Sequence, residues 1–269
     1  MIIKIYRKVS WLSLDIIVGA NLFLAFLGKH YQIDISLNVF IALSMAIWLI
    51  YTVDHLVDAM LGKRLTPRRK FHRKHSRLLV MLSGIALMGG LVNITFLPIE
   101  IIKTGSVLGS ICILYLMTVY FFRKLWFKEV LVAMGYSVGL FLAPIVLIGK
   151  VQWIDMILIL QLCGLALANL LIFSHFEREE DQAEGFGSLA LKIQSDIQII
   201  ITTLLLLIAL SNIIMALYLP FSFLNIQIIY LLMAAVLLFI TSFPSFFIVR
   251  ERFRVVGDAI FFLPVFFLF

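Results

Sequence analysis

Residues 51–77, YTVDHLVDAMLGKRLTPRRKFHRKHSR, decide how this chain is read. The stretch opens at the end of an apolar run and carries two aspartates, Asp54 and Asp58, four residues apart. On a helix that spacing stacks both carboxylates on one face, one turn apart. Directly after comes the densest basic stretch of the chain: Lys63, Arg64, Arg68, Arg69, Lys70, Arg73, Lys74 and Arg77. Two anions at the end of an apolar helix, beside a basic loop, point to a metal-assisted site for a phosphorylated ligand.

The surroundings of that stretch are those of a membrane protein. Of the 269 residues, 63% are hydrophobic and only 14% charged, where a soluble domain carries about 25% charged residues. No polar segment is long enough to fold alone, so residues 1–269 read as a single polytopic membrane domain. The N-terminal MIIKIYRKVS is basic and runs into an apolar stretch without a small-residue cleavage pattern. It reads as a cytoplasmic tail and first span rather than a signal peptide. The net charge of +7 sits in the loops, where it reports topology and not nucleic-acid binding. Cys112 and Cys163 fall inside apolar runs without zinc or redox spacing, as buried inert thiols do.

With about 20 apolar residues per crossing as the guide, nine spans are expected. They lie near 9–28, 37–58, 77–98, 104–122, 128–149, 153–174, 197–219, 224–248 and 256–269. The last is short and ends on FFLPVFFLF, so it is expected to tilt, stop inside the bilayer or lie in the interface. With the N-terminus and every second loop assigned to the cytoplasm, that side holds 19 Lys and Arg; the other holds Lys29, Lys103 and Lys150. This asymmetry orients the bundle. It places Asp54 and Asp58 at the cytoplasmic end of span two.

The same side receives a second acidic cluster, SHFEREEDQAEGFGSLA, at the end of span six. Glu177 and Asp181 again stand four apart. Arg123, Lys124 and Lys128 join from YFFRKLWFKEV, and Arg250, Arg252, Arg254 and Asp258 from RERFRVVGD. Carboxylates at a membrane-helix end are costly unless they pair, bind a metal or reach water. Asp54, Asp58, Glu177 and Asp181 form an oxygen-only set that suits Mg²⁺ shared with phosphate oxygens. Nearby Lys and Arg would hold the remaining oxygens and stabilise a departing diphosphate.

These motifs resemble those of the UbiA-type superfamily of intramembrane aromatic prenyltransferases, relatives of 4-hydroxybenzoate polyprenyltransferase. The resemblance covers nearly the whole chain in span count and motif placement. Of the family's NDxxDxxxD motif, the last two aspartates fall on Asp54 and Asp58, while Ile50 and Tyr51 stand where the leading Asn-Asp would be. LTPRRKFH matches the basic segment that follows, with Arg68 or Arg69 in the diphosphate-binding place. YFFRKLWFKEVLVAMGYSVG has the form of the connection between spans four and five. The second motif falls on Ser174, Glu177, Asp181, Gly185 and Ser188, so a serine replaces its first aspartate and a glutamate its second. Asn169 adds a polar contact inside span six.

The resemblance implies an all-α bundle of about nine transmembrane helices with its active site facing the cytoplasm at the cell membrane. It implies an enzyme that moves an isoprenoid group from a prenyl diphosphate to an aromatic or lipid-like hydrophobic acceptor. Asp54, Asp58, Glu177 and Asp181 would then act in catalysis and hold Mg²⁺, with Arg68, Arg69, Lys124 and Lys128 on the diphosphate. Two other readings use the same residues. A non-catalytic or transport relative would bind a lipid-like phosphate without breaking a bond; broken helices in both halves would mark a transporter, and only Gly164 and Asn169 in span six hint at one. A histidine-ligated metal would draw on His55, His72, His75 and His175, yet no HExxH is present and His72 and His75 sit among cations. Trp11, Trp48, Trp126 and Trp153 near span ends need no ligand, since interfacial anchoring explains them.

Overall fold

A computed structural model describes residues 8–62, 66–122, 125–185, 187–193 and 196–269. Among them every regular element is helical. The long helices are α1 (Leu14–Tyr31), α2 (Leu37–Leu61), α4 (Ser76–Ile94), α5 (Ile99–Phe121), α6 (Lys128–Ile148), α7 (Trp153–Phe176), α10 (Ile197–Tyr218) and α11 (Leu224–Ser242). Short helices stand between or after them: α3 (Pro67–Lys74), α8 (Arg178–Glu184), α9 (Leu189–Ile193), α12 (Pro244–Ile248) and α13 (Arg252–Ala259). Seven of the described helices, α2, α4, α5, α6, α7, α10 and a last one at Phe221–Ser242, are long and apolar enough to cross a membrane.

The C-terminal segment, expected to tilt, stop inside the bilayer or lie in the interface, packs along α1. α13 continues into a 3-10 helix over Ile260–Phe267, which contains Pro264. A 3-10 helix climbs about 2.0 Å per residue against about 1.5 Å in an α-helix, so few residues cover a long path. The segment runs parallel to α1. Phe261 packs at Gly19, where an added Cβ would meet the Phe261 Cβ at 2.9 Å, and the Lys29 ammonium donates to the Leu268 carbonyl at 3.0 Å. First and last segments therefore close the bundle against each other.

α7 is the axis of the bundle and is buried over more than half of its spanning length. It packs against α6, α10 and α11. α5, by contrast, is the least buried of the spanning helices, as suits a helix whose apolar side chains largely face acyl chains. Gly164 lets α10 approach α7, since a Cβ there would meet the Ile208 Cδ1 at 2.6 Å. α7 stays helical through Gly164 and Asn169, so the hint of a broken helix in span six is not realised. Polar side chains tie the apolar layers together. The Tyr31 hydroxyl donates to Asp155 Oδ1 at 2.6 Å, Gln161 Nε2 to Ser211 Oγ at 3.0 Å, and Gln227 Nε2 to Gln161 Oε1 at 3.3 Å. Such interhelical bonds hold helices where lipid supplies no hydrophobic drive.

α13 reaches the axis through Gly257. A Cβ at this position would lie 2.4 Å from Asn169 Oδ1 and 2.7 Å from the Phe173 ring. Gly257→Ala is therefore expected to cost about 1–3 kcal/mol by overpacking, seen as a lower Tm in detergent. Gly135→Ala on α6 is the matched control, since nothing stands within 4 Å of a Cβ there; its Tm should hold or rise slightly.

Candidate functional site

One end of the bundle holds a cavity of about 210 Å³ where α2, α3, α6, α7, α8 and α13 converge. Asp54 and Asp58 enter from the last turns of α2, Lys128 and Glu129 from the first turn of α6, Glu177 and Asp181 from the end of α7 and α8, and Arg254 and Asp258 from α13. Of the eight positions the sequence singles out, seven line this cavity: Asp54, Asp58, Arg68, Arg69, Lys128, Glu177 and Asp181. The eighth, Lys124, lies outside the described residues, as do Lys63, Arg64 and Arg123.

The basic stretch is a helix where a loop was expected. Thr66 caps α3 by accepting from the Arg69 amide at 3.3 Å, and Pro67 sits in its first turn. Both are helix-starting signals, and they aim the helix so that Arg68 and Arg69 line the cavity. Arg69 is only 7% exposed. Lys70, Arg73, Lys74 and, at the start of α4, Arg77 are exposed. One run of cations thus serves two environments: a pair inside the site, and a rim that suits a polar or anionic lipid surface.

The two halves of the chain meet at Arg69. Its Nη2 lies 3.8 Å from Asp58 Oδ2 and 4.0 Å from Asp181 Oδ1. Glu177 is bound elsewhere: Arg254 donates to its Oε1 from both Nε and Nη2, and the guanidinium lies 5.1 Å from the Phe173 ring centre. Burial works against the Glu177 carboxylate, but Arg254 and Arg68 outweigh it and hold its pKa below the usual range. Asp181 goes the other way. Burial, then Glu177 and Asp58, push its pKa up to about 6 against the pull of Lys128 and Arg69. Burial and the neighbouring Arg254 lower the pKa of Arg68.

The residues that break the family pattern also have places. Tyr51 lines the cavity where the motif's first aspartate would be. Ser174 donates to Glu129 Oε1 at 2.8 Å, and the Leu189 amide donates to the same oxygen at 3.3 Å. Glu129, 4% exposed, so pins the start of α9 to the end of α7 and keeps the acidic connection folded over the cavity. Neither Glu129 nor Arg254 was singled out for the site from the sequence. The available signal was a charged side chain at the end of an apolar run, which fits many positions. Of the four histidines weighed as ligands, only His55 lines the cavity; its ring stands 5.1 Å from that of His72.

Among the described residues, no group of three or more His, Cys, Asp or Glu side chains forms a preformed metal cage. Mg²⁺ does not need one, because it binds through one or two carboxylates with substrate phosphates and water completing the shell. Asp58 and Asp181 already converge on a cation, the Arg69 guanidinium, and Asp54 stands one turn from Asp58. An oxygen-only, anionic donor set of this kind fits Mg²⁺. The charge balance agrees: six carboxylates line the cavity against two Arg from α3, Arg254 and Lys128. A diphosphate entering alone would meet these carboxylates as well as the cations.

No family model matches this chain. No curated protein matches it either. Solved structures do. A UbiA homologue from Aeropyrum pernix K1 superimposes with a TM-score of 0.68 at 12% identity, over 93% of this chain and 95% of that one. A digeranylgeranylglyceryl phosphate synthase gives a TM-score of 0.60 at 16% identity, over 97% and 94%. At these identities the likeness is one of fold. The chain has the fold of the UbiA-type membrane prenyltransferases.

Proposed function

We propose that this protein is a Mg²⁺-dependent prenyltransferase that moves an isoprenoid group from a prenyl diphosphate to a hydrophobic acceptor. The observation that carries the reading is the convergence of Asp58 and Asp181, from the two halves of the chain, on Arg69 in a cavity also lined by Arg68 and Lys128. Asp54, Asp58 and Asp181 are the carboxylates that would hold Mg²⁺, whose charge would offset the phosphate oxygens and ease departure of the diphosphate. Glu177 is better assigned to holding Arg254, which already engages its carboxylate.

Arg68, Arg69 and Lys128 donate to the phosphate oxygens and stabilise charge as it develops on the leaving group. Tyr51, Tyr115, Tyr136, Phe173 and Phe261 line the rest of the cavity. Their ring faces favour a developing allylic cation, and the apolar wall keeps water from capturing it. The excess of Lys and Arg at the site's end of the bundle supports a site that faces the cytoplasm at the cell membrane.

The test is thermal stability of the detergent-purified protein with prenyl diphosphates of several lengths, with and without Mg²⁺. A ligand that binds only the folded state at 100 times its Kd adds about 2.7 kcal/mol, or roughly 5–10 °C in Tm. A shift that needs Mg²⁺, with diphosphate released when an acceptor is added, supports transfer. A shift without release supports the binding or transport reading instead. No shift with any donor sinks the proposal.

A further inference from the structure

The groups assigned to the diphosphate leave one corner of the cavity unused. Asp258 lines it one turn beyond Arg254, and Tyr51, Tyr136 and Asn169 line the same cavity. Asp258 is within electrostatic reach of Asp15 on α1 and of both tyrosines. The Tyr136 ring packs 5.0 Å from that of Phe261, and Asn169 lies against Gly257. All these groups therefore border the C-terminal segment. The Tyr136 hydroxyl and Asn169 Oδ1 are buried without a hydrogen-bond partner. Buried polar atoms are normally paired, so two unpaired ones beside a carboxylate in a cavity wall mark a place for a polar ligand.

The charge of the corner narrows that ligand. The cations that act most strongly on Asp258 are Arg254 and Arg68. Arg254 is committed to Glu177, and Arg68 is assigned above to the diphosphate. Asp15 adds a second negative charge. A carboxylate or phosphate on the ligand would meet repulsion here, whereas a hydroxyl donates to Asp258 without it. A carboxylate also accepts the proton that a hydroxyl must lose on becoming an ether.

We infer that Asp258, with Tyr136 and Asn169, forms the acceptor subsite, and that it selects an uncharged hydroxyl-bearing acceptor over an anionic one. This rests on the prenyltransfer reading above. In the step, the bond from C1 of the prenyl group to the diphosphate oxygen breaks, and its electron pair leaves on the diphosphate. The acceptor oxygen forms the new bond to C1, and its proton passes to Asp258.

Hydroquinone and a 1-O-alkylglycerol serve as neutral probes, and 4-hydroxybenzoate as the anionic one. Each is offered to the protein with Mg²⁺ and the prenyl diphosphate that stabilises it most. The wild-type protein is expected to prenylate at least one neutral probe at least 10-fold faster than 4-hydroxybenzoate. Asp258→Asn should lose about 100-fold or more in turnover with the neutral probe while keeping the Mg²⁺-dependent thermal shift with donor. Tyr136→Phe should raise KM for the neutral probe with a smaller change in kcat and the same donor shift.

Equal or faster use of 4-hydroxybenzoate, no transfer to either neutral probe, or full turnover in Asp258→Asn overturns this inference alone, provided donor binds. A wild-type protein that neither gains stability from any donor nor releases diphosphate overturns the prenyltransfer reading and this one with it.

Discussion

Replacing Asp58 by Asn is expected to abolish the Mg²⁺-dependent stabilisation by prenyl diphosphate and to lower turnover by about 10³-fold. The substitution keeps the shape of the side chain and removes only its charge. In the free protein that costs little, because Arg69 lies at comparable distances from Asp58 and Asp181 and keeps one of the two. In the liganded protein it costs much more. The carboxylate is one of the few oxygens available to a hard divalent cation, and a neutral amide oxygen is a poor substitute. Thermal shift and diphosphate release, measured on the same preparation, check both halves of the expectation. Lys70→Ala is the control: this side chain is exposed on the outer side of α3 and should leave both readouts unchanged. An unaltered Mg²⁺-dependent shift in Asp58→Asn would remove Asp58 from the ligand set.

The second large effect is on stability. Glu177→Ala is expected to destabilise the protein by about 3 kcal/mol, near the lower end for breaking a buried ion pair. The lower end applies because the two side chains keep 26% and 18% of their exposure. The loss leaves the Arg254 guanidinium beside the Phe173 and Phe253 rings without its hydrogen-bonded carboxylate partner. α13 would be the first element to loosen. The pH dependence follows in sign. Because the folded pKa of Glu177 is depressed, the pair's contribution is fully present above the ordinary glutamate value of about 4.3 and fades as pH falls through the lower folded value. A double-mutant cycle with Arg254→Met isolates the coupling. The double variant should recover part of the loss, since it removes the unpaired guanidinium while Asp258 loses a neighbouring cation. A single-variant cost below about 0.5 kcal/mol, within the range of ordinary surface substitutions, would show that the pair does not hold α13.

Much of the site was legible because its spacing is local. Asp54 and Asp58 share a helix face whatever surrounds them, and the helix-starting signals at Thr66 and Pro67 were present in the sequence. Their effect was not drawn from it. Reading residues 59–77 as a basic loop missed that a cap and a proline turn part of the run into a helix with an inner and an outer side. The partner of Glu177 was not legible at all. Arg254 is 77 residues away, and many other cations had equal claim by sequence. The packing partner of the C-terminal segment was not legible for a related reason: its contact with α1 through Gly19 joins opposite ends of the chain.

Hydropathy, one-sided charge and i,i+4 spacing are properties of short windows. By themselves they determined that this chain is an all-α membrane bundle with most of its acidic and basic residues gathered at one end. Pairing in space was decided only by how the helices pack. The small residues Gly19, Gly164 and Gly257 set how closely helices approach, and that approach brings Arg69 between Asp58 and Asp181, gives Arg254 to Glu177 and leaves Asp258 facing the cavity. Coulomb energy depends on separation and burial, which no window of sequence contains.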